Sequence, residues 1–133
     1  MEYQRPQPEP TPTSEPFWTG LANGQVLLQQ CDDCDKWVYY PRSHCPHCLS
    51  SHLVWKQVSG EGSLYSFTVA PQATAPQFAN ETPQLIAVVE LIEGVRLNTV
   101  MVNVEPENLK IGMKVKPVFY PLDDSTLLYF EPH

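Results

Sequence analysis

Cys31-Asp32-Asp33-Cys34 and, ten residues further on, Cys45-Pro46-His47-Cys48 are the two stretches that decide how this chain reads. Each C-x2-C turn aims two sulfurs at one point, and two such turns facing each other complete a tetrahedron of thiolates around a single metal ion. The four cysteines are the only ones in the chain, so none is left over for another role. A redox dithiol would need only one pair, and a disulfide framework does not suit a reducing cytoplasm. The spacing therefore predicts a closed structural site of Cys31, Cys34, Cys45 and Cys48. Zinc is the expected ion, although a rubredoxin-like iron site uses the same ligand pattern. With four protein ligands there is no open position, so the metal should supply folding energy and no catalysis. A glycine commonly follows the second cysteine of such a turn. Here Asp35 and Leu49 stand there, and leucine accepts left-handed geometry less readily than aspartate. His44, His47 and His52 flank the site and are read as surface or supporting side chains rather than ligands.

Upstream of the cysteines, residues 1–13 read as a disordered or extended arm. The alternating prolines Pro6, Pro8, Pro10 and Pro12 would hold it polyproline-like, as a tail or as a strap laid on a partner. Ser14 is placed to cap a short helix with Glu15 and Pro16 in its first turn and Asn23-Gly24 as its stop. Phe17, Trp18 and Leu21 form one apolar stripe on it. A helix this short needs a docking surface, either the ribbon itself or a partner subunit. Gln25–Gln30 should be a strand into the first knuckle, Trp37–Tyr40 leads out of it, and the ribbon should end near Trp55. Helix and ribbon together occupy residues 14–58.

Downstream, residues 59–133 read as strands. Ser63–Ala70 alternates, with Tyr65, Phe67 and Val69 on one face. Leu85–Ile92 is almost wholly apolar, as for a strand covered on both sides. Glu93-Gly94 predicts a two-residue turn. Val95–Val104 puts Val95, Leu97 and Met101 on one face, Pro106–Leu109 allows one helical turn, and Met113–Tyr120 and Leu127–Glu131 complete five strands. The expected fold is mainly β: an N-terminal helix and rubredoxin-like zinc ribbon followed by a five-stranded OB-fold barrel, with an SH3-like barrel as the alternative. Glycines 60, 62 and 112 suit bends or bulges at barrel corners. The long connection Pro71–Pro83 carries Phe78 and joins the first two barrel strands, where OB barrels build part of their binding face. Asp123-Asp124 reads as a turn.

Hydrophobic residues make up 42% of the 133, enough for a core, and the formal net charge is −7. That acidic balance argues against nucleic acid as a partner, because phosphates call for a basic face. No apolar run is long enough for a membrane span or a signal peptide, so a cytoplasmic protein is expected. No G-x-S-x-G, P-loop, G-x-G-x-x-G after a strand, or H-E-x-x-H is present. No nucleophile with a base and an orienting group assembles from neighbouring positions, so no catalytic residue is assigned.

Several motifs occur in a recognisable order: Pro16-Phe17-Trp18-Thr19-Gly20-Leu21, the four cysteines with Tyr40-Pro41-Arg42 between the pairs, Ser59-Gly60-Glu61-Gly62-Ser63 running on to Val69, Val89 to Leu97, and Ile111-Gly112-Met113-Lys114-Val115. Together they resemble a family of zinc-ribbon plus OB-fold proteins, long catalogued as a domain of unknown function and associated with acyl-CoA enzymes. The resemblance covers the chain from Pro16 onward. It implies a noncatalytic helper subunit of a thiolase-like enzyme: an acyltransferase, a thiolase or a steroid side-chain aldolase. Such a subunit stabilises the larger one and helps to shape its acyl-CoA site in a hetero-oligomer. On that reading Phe17, Trp18, Tyr39, Tyr40 and Phe78 are candidate partner or acyl-CoA contacts, since aromatics anchor interfaces. Arg42 could meet a CoA phosphate. The alternatives are a freestanding acyl-CoA-binding module and, less favoured, a single-stranded nucleic-acid binder.

Overall fold

The computed structural model describes residues 8–70, 84–122 and 125–133. Phe78, the Pro71–Pro83 connection and Asp123-Asp124 lie outside the described residues.

A turn at Thr11–Ser14 leads into α1 (Glu15–Ala22). Ser14 does not cap the helix with its side chain. Its Oγ is turned back, accepting from the Thr11 N–H at 2.9 Å, and the Thr11 carbonyl takes the N–H groups of Ser14 and Glu15. The cap expected at Ser14 is thus displaced upstream, because Ser14 is fully buried and its hydroxyl is satisfied within the turn. Pro16 still stands in the first helical turn, and the helix ends at Asn23 and the left-handed Gly24.

α1 packs against its own chain. Phe17, Gly20 and Leu21 are buried, and Gly20 lies so close to Leu27 that a methyl group there would meet its side chain at 2.9 Å. Three strands form the ribbon, ordered β2–β1–β3: β1 (Val26–Cys31), β2 (Trp37–Val38) and β3 (Leu53–Val58). The third strand runs past Trp55 to Val58 because it pairs with β1 along its whole length, from Cys31–Leu53 to Val26–Val58.

The second sheet has five antiparallel strands: β4 (Gly62–Ala70), β5 (Gln84–Leu91), β6 (Arg96–Val100), β7 (Lys114–Leu122) and β8 (Ser125–Pro132). Their order is β6–β5–β4–β7–β8, and a parallel bridge between Met101 and Phe130 joins the two outer strands. Val102 donates to the Phe130 carbonyl and Thr99 Oγ1 to that of Leu128, which completes the closure. This is the five-stranded Greek-key arrangement of an OB fold, with a 3₁₀ turn at Pro106–Asn108 before the fourth barrel strand.

Three sequence expectations need correction. Between Leu64 and Ser66 the β4–β5 register shifts, so Tyr65 is the extra residue of a bulge. Phe67 and Val69 stay opposite the buried Ala87 and Leu85, but Tyr65 turns out to solvent and Leu64 takes the inward place. β5 is covered on one face only. Leu85, Ala87, Val89 and Leu91 are buried, while Ile86 and Ile92 are exposed, because a single-layered barrel has an outside. The β5–β6 connection, Ile92 to Val95, holds a three-residue turn, Ile92–Gly94, inside a Leu91–Val95 hydrogen bond, and not the expected two-residue turn. Gly94 donates to the Leu91 carbonyl and Leu91 to that of Val95, and Gly94 takes the left-handed place that closes such a loop.

One apolar core runs through the molecule. Phe17, Leu21, Val26, Leu28 and Val58 join Leu64, Val89, Leu97, Val115 and Phe130 in it. A second, small cluster of Cys31, Val38 and Cys45 sits at the far end of the ribbon.

Candidate metal centre and aromatic face

The ribbon builds its four-cysteine cluster from two copies of one backbone device. Cys31 ends β1, and its carbonyl accepts from Asp35 N–H at 2.9 Å while its own N–H reaches Lys36 O at 2.9 Å. Cys45 does the same with Leu49 N–H and Ser50 O, both at 2.8 Å. Asp35 and Leu49 are both left-handed, at φ 62° and 64°. The second knuckle, expected to be slightly unusual, has the same shape as the first. Leucine is accommodated there because its side chain is 76% exposed and meets no packing constraint.

The four sulfurs lie within 4.8 Å of one another, with Cys31–Cys48 at 3.5 Å and Cys34–Cys45 at 3.7 Å. A tetrahedral ion with metal–sulfur bonds of about 2.3 Å separates its ligands by about 3.8 Å. The donor set therefore fits one tetrahedral metal. Cys31 and Cys45 are buried, Cys34 is intermediate and Cys48 is exposed. Burial pushes the Cys45 thiol up, but the backbone N–H groups of Cys48 and His47 and the neighbouring thiols outweigh it and bring it down to about 7. The Ser50 N–H draws the Cys48 thiol down, yet Cys31, burial, Cys34 and Cys45 push it up to about 12. Four thiols this close cannot all ionise side by side; a cation among them removes the conflict.

His44, His47 and His52 are all exposed and outside the sulfur cluster. His44 meets Ser43, and His52 meets Asp33 through Nδ1 at 2.9 Å.

The aromatic candidates come together on one side of α1. The Phe17 ring is edge-on to Trp18 at 5.1 Å, Tyr39 at 6.0 Å and Tyr40 at 6.1 Å, and Trp18 Nε1–H donates to the Tyr40 hydroxyl at 3.2 Å. Phe17 is 2% exposed, so it is the buried hub of the cluster and not a surface anchor. Trp18 and Tyr39 are half-buried and Tyr40 is exposed. A groove of about 330 Å³ runs beside them, between Trp18 and Tyr39 on one wall and Thr99, Leu127 and Leu128 on the other.

Arg42 is exposed, and among the described residues its guanidinium has no ion-pair partner. Its backbone is fixed by a residue that no sequence motif singles out. The buried Gln29 donates through Nε2 to Arg42 O at 2.9 Å and accepts from Arg42 N–H at 2.8 Å. The only signal in the sequence is the pair Gln29-Gln30 after Val26-Leu27-Leu28 in a strand, where alternation sets the two amides on opposite faces and burial obliges one of them to find partners.

Comparison with known proteins agrees with this architecture. Residues 18–54 match the family described as ChsH2, rubredoxin-like zinc ribbon domain, and residues 55–120 match that described as ChsH2, C-terminal OB-fold domain. A DUF35 domain-containing scaffold protein of Methanocaldococcus jannaschii is 34% identical, over 84% of this chain and 83% of its own. A probable enoyl-CoA hydratase alpha subunit of Thermomonospora curvata is 36% identical over 87% of this chain, but this chain spans only 36% of its length. Among solved structures, one described as Ltp2-ChsH2(DUF35) aldolase superposes with a TM-score of 0.83 at 31% identity, covering 95% of this chain and 98% of that one. A DUF35 protein of unknown function from Sulfolobus solfataricus shares the fold, with a TM-score of 0.66 at 19% identity. Among the described residues no helix is long and apolar enough to cross a membrane. Both halves are matched, in the same order, by ribbon and barrel domains, and a relative of similar length is matched along most of both chains: this protein belongs to the DUF35 family.

Proposed function

We propose that this chain is a noncatalytic accessory subunit of an acyl-CoA enzyme with a thiolase-like partner, which it stabilises and whose acyl-CoA site it helps to form. The observation that carries this reading is the near-complete superposition on a structure described as an Ltp2-ChsH2(DUF35) aldolase. The site chemistry agrees with it. A closed set of four thiolates, with zinc as the ion we place there, has no open position for substrate and serves as a folding staple. The interface we assign is the aromatic face. Trp18, Tyr39 and Tyr40 present large rigid surface, Phe17 holds them from behind, and Arg42 adds a positive charge on a pinned backbone. Phe78 is assigned to the same contact from sequence alone.

The test is affinity purification of the tagged chain from its own host, with mass spectrometry of what co-purifies. A thiolase-fold protein in near-stoichiometric yield is expected, and Arg42→Ala should weaken its capture. Purification of the chain alone, with no acyl-CoA enzyme, would overturn the reading. One observation favours a second partner class: relatives at 36% and 35% identity are described as hydratase alpha subunits of which this segment is about a third. A hydratase in the capture would keep the accessory role and change the reaction it serves.

A further inference from the structure

We infer that Asp33 is a latch between the two knuckles and that it sets how fast the metal leaves. Asp33 lies inside the first knuckle, between Cys31 and Cys34. Its carboxylate Oδ2 reaches across to the second, where it accepts from the Ser50 hydroxyl and from His52 Nδ1 at 2.9 Å. A carboxylate can only accept, so the imidazole proton in this contact sits on Nδ1. Two further bonds tie the same corner: Asp32 N–H donates to His52 O at 2.8 Å, and His52 N–H to Ser50 Oγ at 3.0 Å.

The position of this corner gives the latch its consequence. Cys31 and Cys45 are anchored in the buried cluster, whereas Cys34 and Cys48 are the solvent-side ligands. Asp33 precedes Cys34 and Ser50 follows Cys48 by two residues. A chelator or a competing thiol reaches the metal by drawing Cys34 and Cys48 apart. That motion must also separate Asp33 from Ser50 and His52, so the bonds resist opening of the site more than they stabilise the folded chain. Groups outside the ligand set are known to tune metal affinity by orienting the ligands, and here the latch acts through the chain beside Cys34 and Cys48.

The experiment is metal release from the full, zinc-loaded chain to an excess of a colorimetric chelator at fixed pH, alongside thermal unfolding of the same samples. Asp33→Ala and Ser50→Ala should each release zinc roughly fivefold faster, with little change in unfolding temperature. The double variant should be accelerated by less than the two single effects combined, because the Asp33–Ser50 bond is lost in both, while Asp33→Ala also loses the His52 ring contact and Ser50→Ala the His52 N–H bond. Asp32→Ala removes the neighbouring negative charge and leaves the latch in place, so it should release zinc at the parent rate. Parent-like release from Asp33→Ala, or equal acceleration by Asp32→Ala, would overturn the inference.

Discussion

Asp35 and Leu49 are the same residue in structural terms. Each follows the second cysteine of its pair, each is left-handed, and each donates its N–H to the carbonyl of the first cysteine, four residues back. The bend brings the two sulfurs of each turn toward one point, since the chain must reverse for both to face it. Glycine would take this conformation freely, and a leucine there costs about 1–2 kcal/mol.

That cost is recoverable. Leu49 is 76% exposed, so its removal forfeits almost no packing. Leu49→Gly should raise the stability of the metal-loaded chain by up to about 1 kcal/mol, because glycine's greater freedom when unfolded offsets part of the gain. Leu49→Val, with a branched Cβ in the left-handed region, should lower it. Denaturant titration of the three proteins decides the matter, and a Leu49→Gly variant less stable than the parent would show that the strain is not there.

Loss of one ligand is a different kind of change. Cys45 is fully buried in the small cluster with Cys31 and Val38, and its thiol is already drawn down to about 7 by backbone N–H groups and neighbouring thiols. Cys45→Ser should fail to hold one equivalent of zinc and should unfold the ribbon at lower temperature, because three thiolates are left around an incomplete tetrahedron. Metal content by elemental analysis, with thermal unfolding before and after chelation, checks this. A variant with full zinc content and parental stability would exclude a structural role for the site.

The four-cysteine cluster is legible in the sequence because its information is local. Two three-residue spacings and the ten residues between them place the four sulfurs. The strands are visible for the same reason, as runs of β-branched and aromatic residues between turn formers. What the sequence hides depends on pairing. Nothing in Leu64-Tyr65-Ser66 announces that a bulge will turn Tyr65 outward, where Arg96 stacks on its ring at 3.9 Å. Nothing in Phe17 distinguishes a buried hub from an exposed anchor until Trp18, Tyr39 and Tyr40 are packed around it. Ser14 reads as a cap because serine often is one; the burial that sends its hydroxyl to Thr11 is a tertiary fact.

Gly62 is another such tertiary constraint, and it can be tested. It pairs with Leu91 on one side and Val115 on the other, at the point where β4 first enters the barrel. A Cβ there would lie 2.3 Å from the Glu90 carbonyl oxygen and 2.9 Å from Leu91 Cα, both backbone atoms that cannot swing aside. Gly62→Ala should therefore cost about 3 kcal/mol or prevent folding. Gly94→Ala meets no atom within 4 Å and bears only the left-handed penalty at φ 94°, about 1 kcal/mol. Equal unfolding temperatures for the two variants would contradict the close approach of β4 and β5.

The aromatic face has a pH signature of its own. Burial first, and then the neighbouring Tyr40, push the Tyr39 phenol up to about 12. An unfolded tyrosine titrates near 10, so the folded state binds this proton more tightly than the unfolded state does. The resulting stability is fully present below about pH 10 and is lost as pH rises through about 12. Holding the proton over that interval is worth about 2–3 kcal/mol. Tyr39→Phe keeps the ring contact with Phe17 and has no proton to lose. Lysines also titrate in this range, so the quantity to compare is the stability difference between parent and variant. The two should run in parallel from neutral pH to about pH 10, after which the parent should fall away by up to that amount while Tyr39→Phe declines more gently. Curves that stay parallel to pH 12 would mean that the Tyr39 hydroxyl is reached by water, and that the cluster around Phe17 is looser than its ring distances imply.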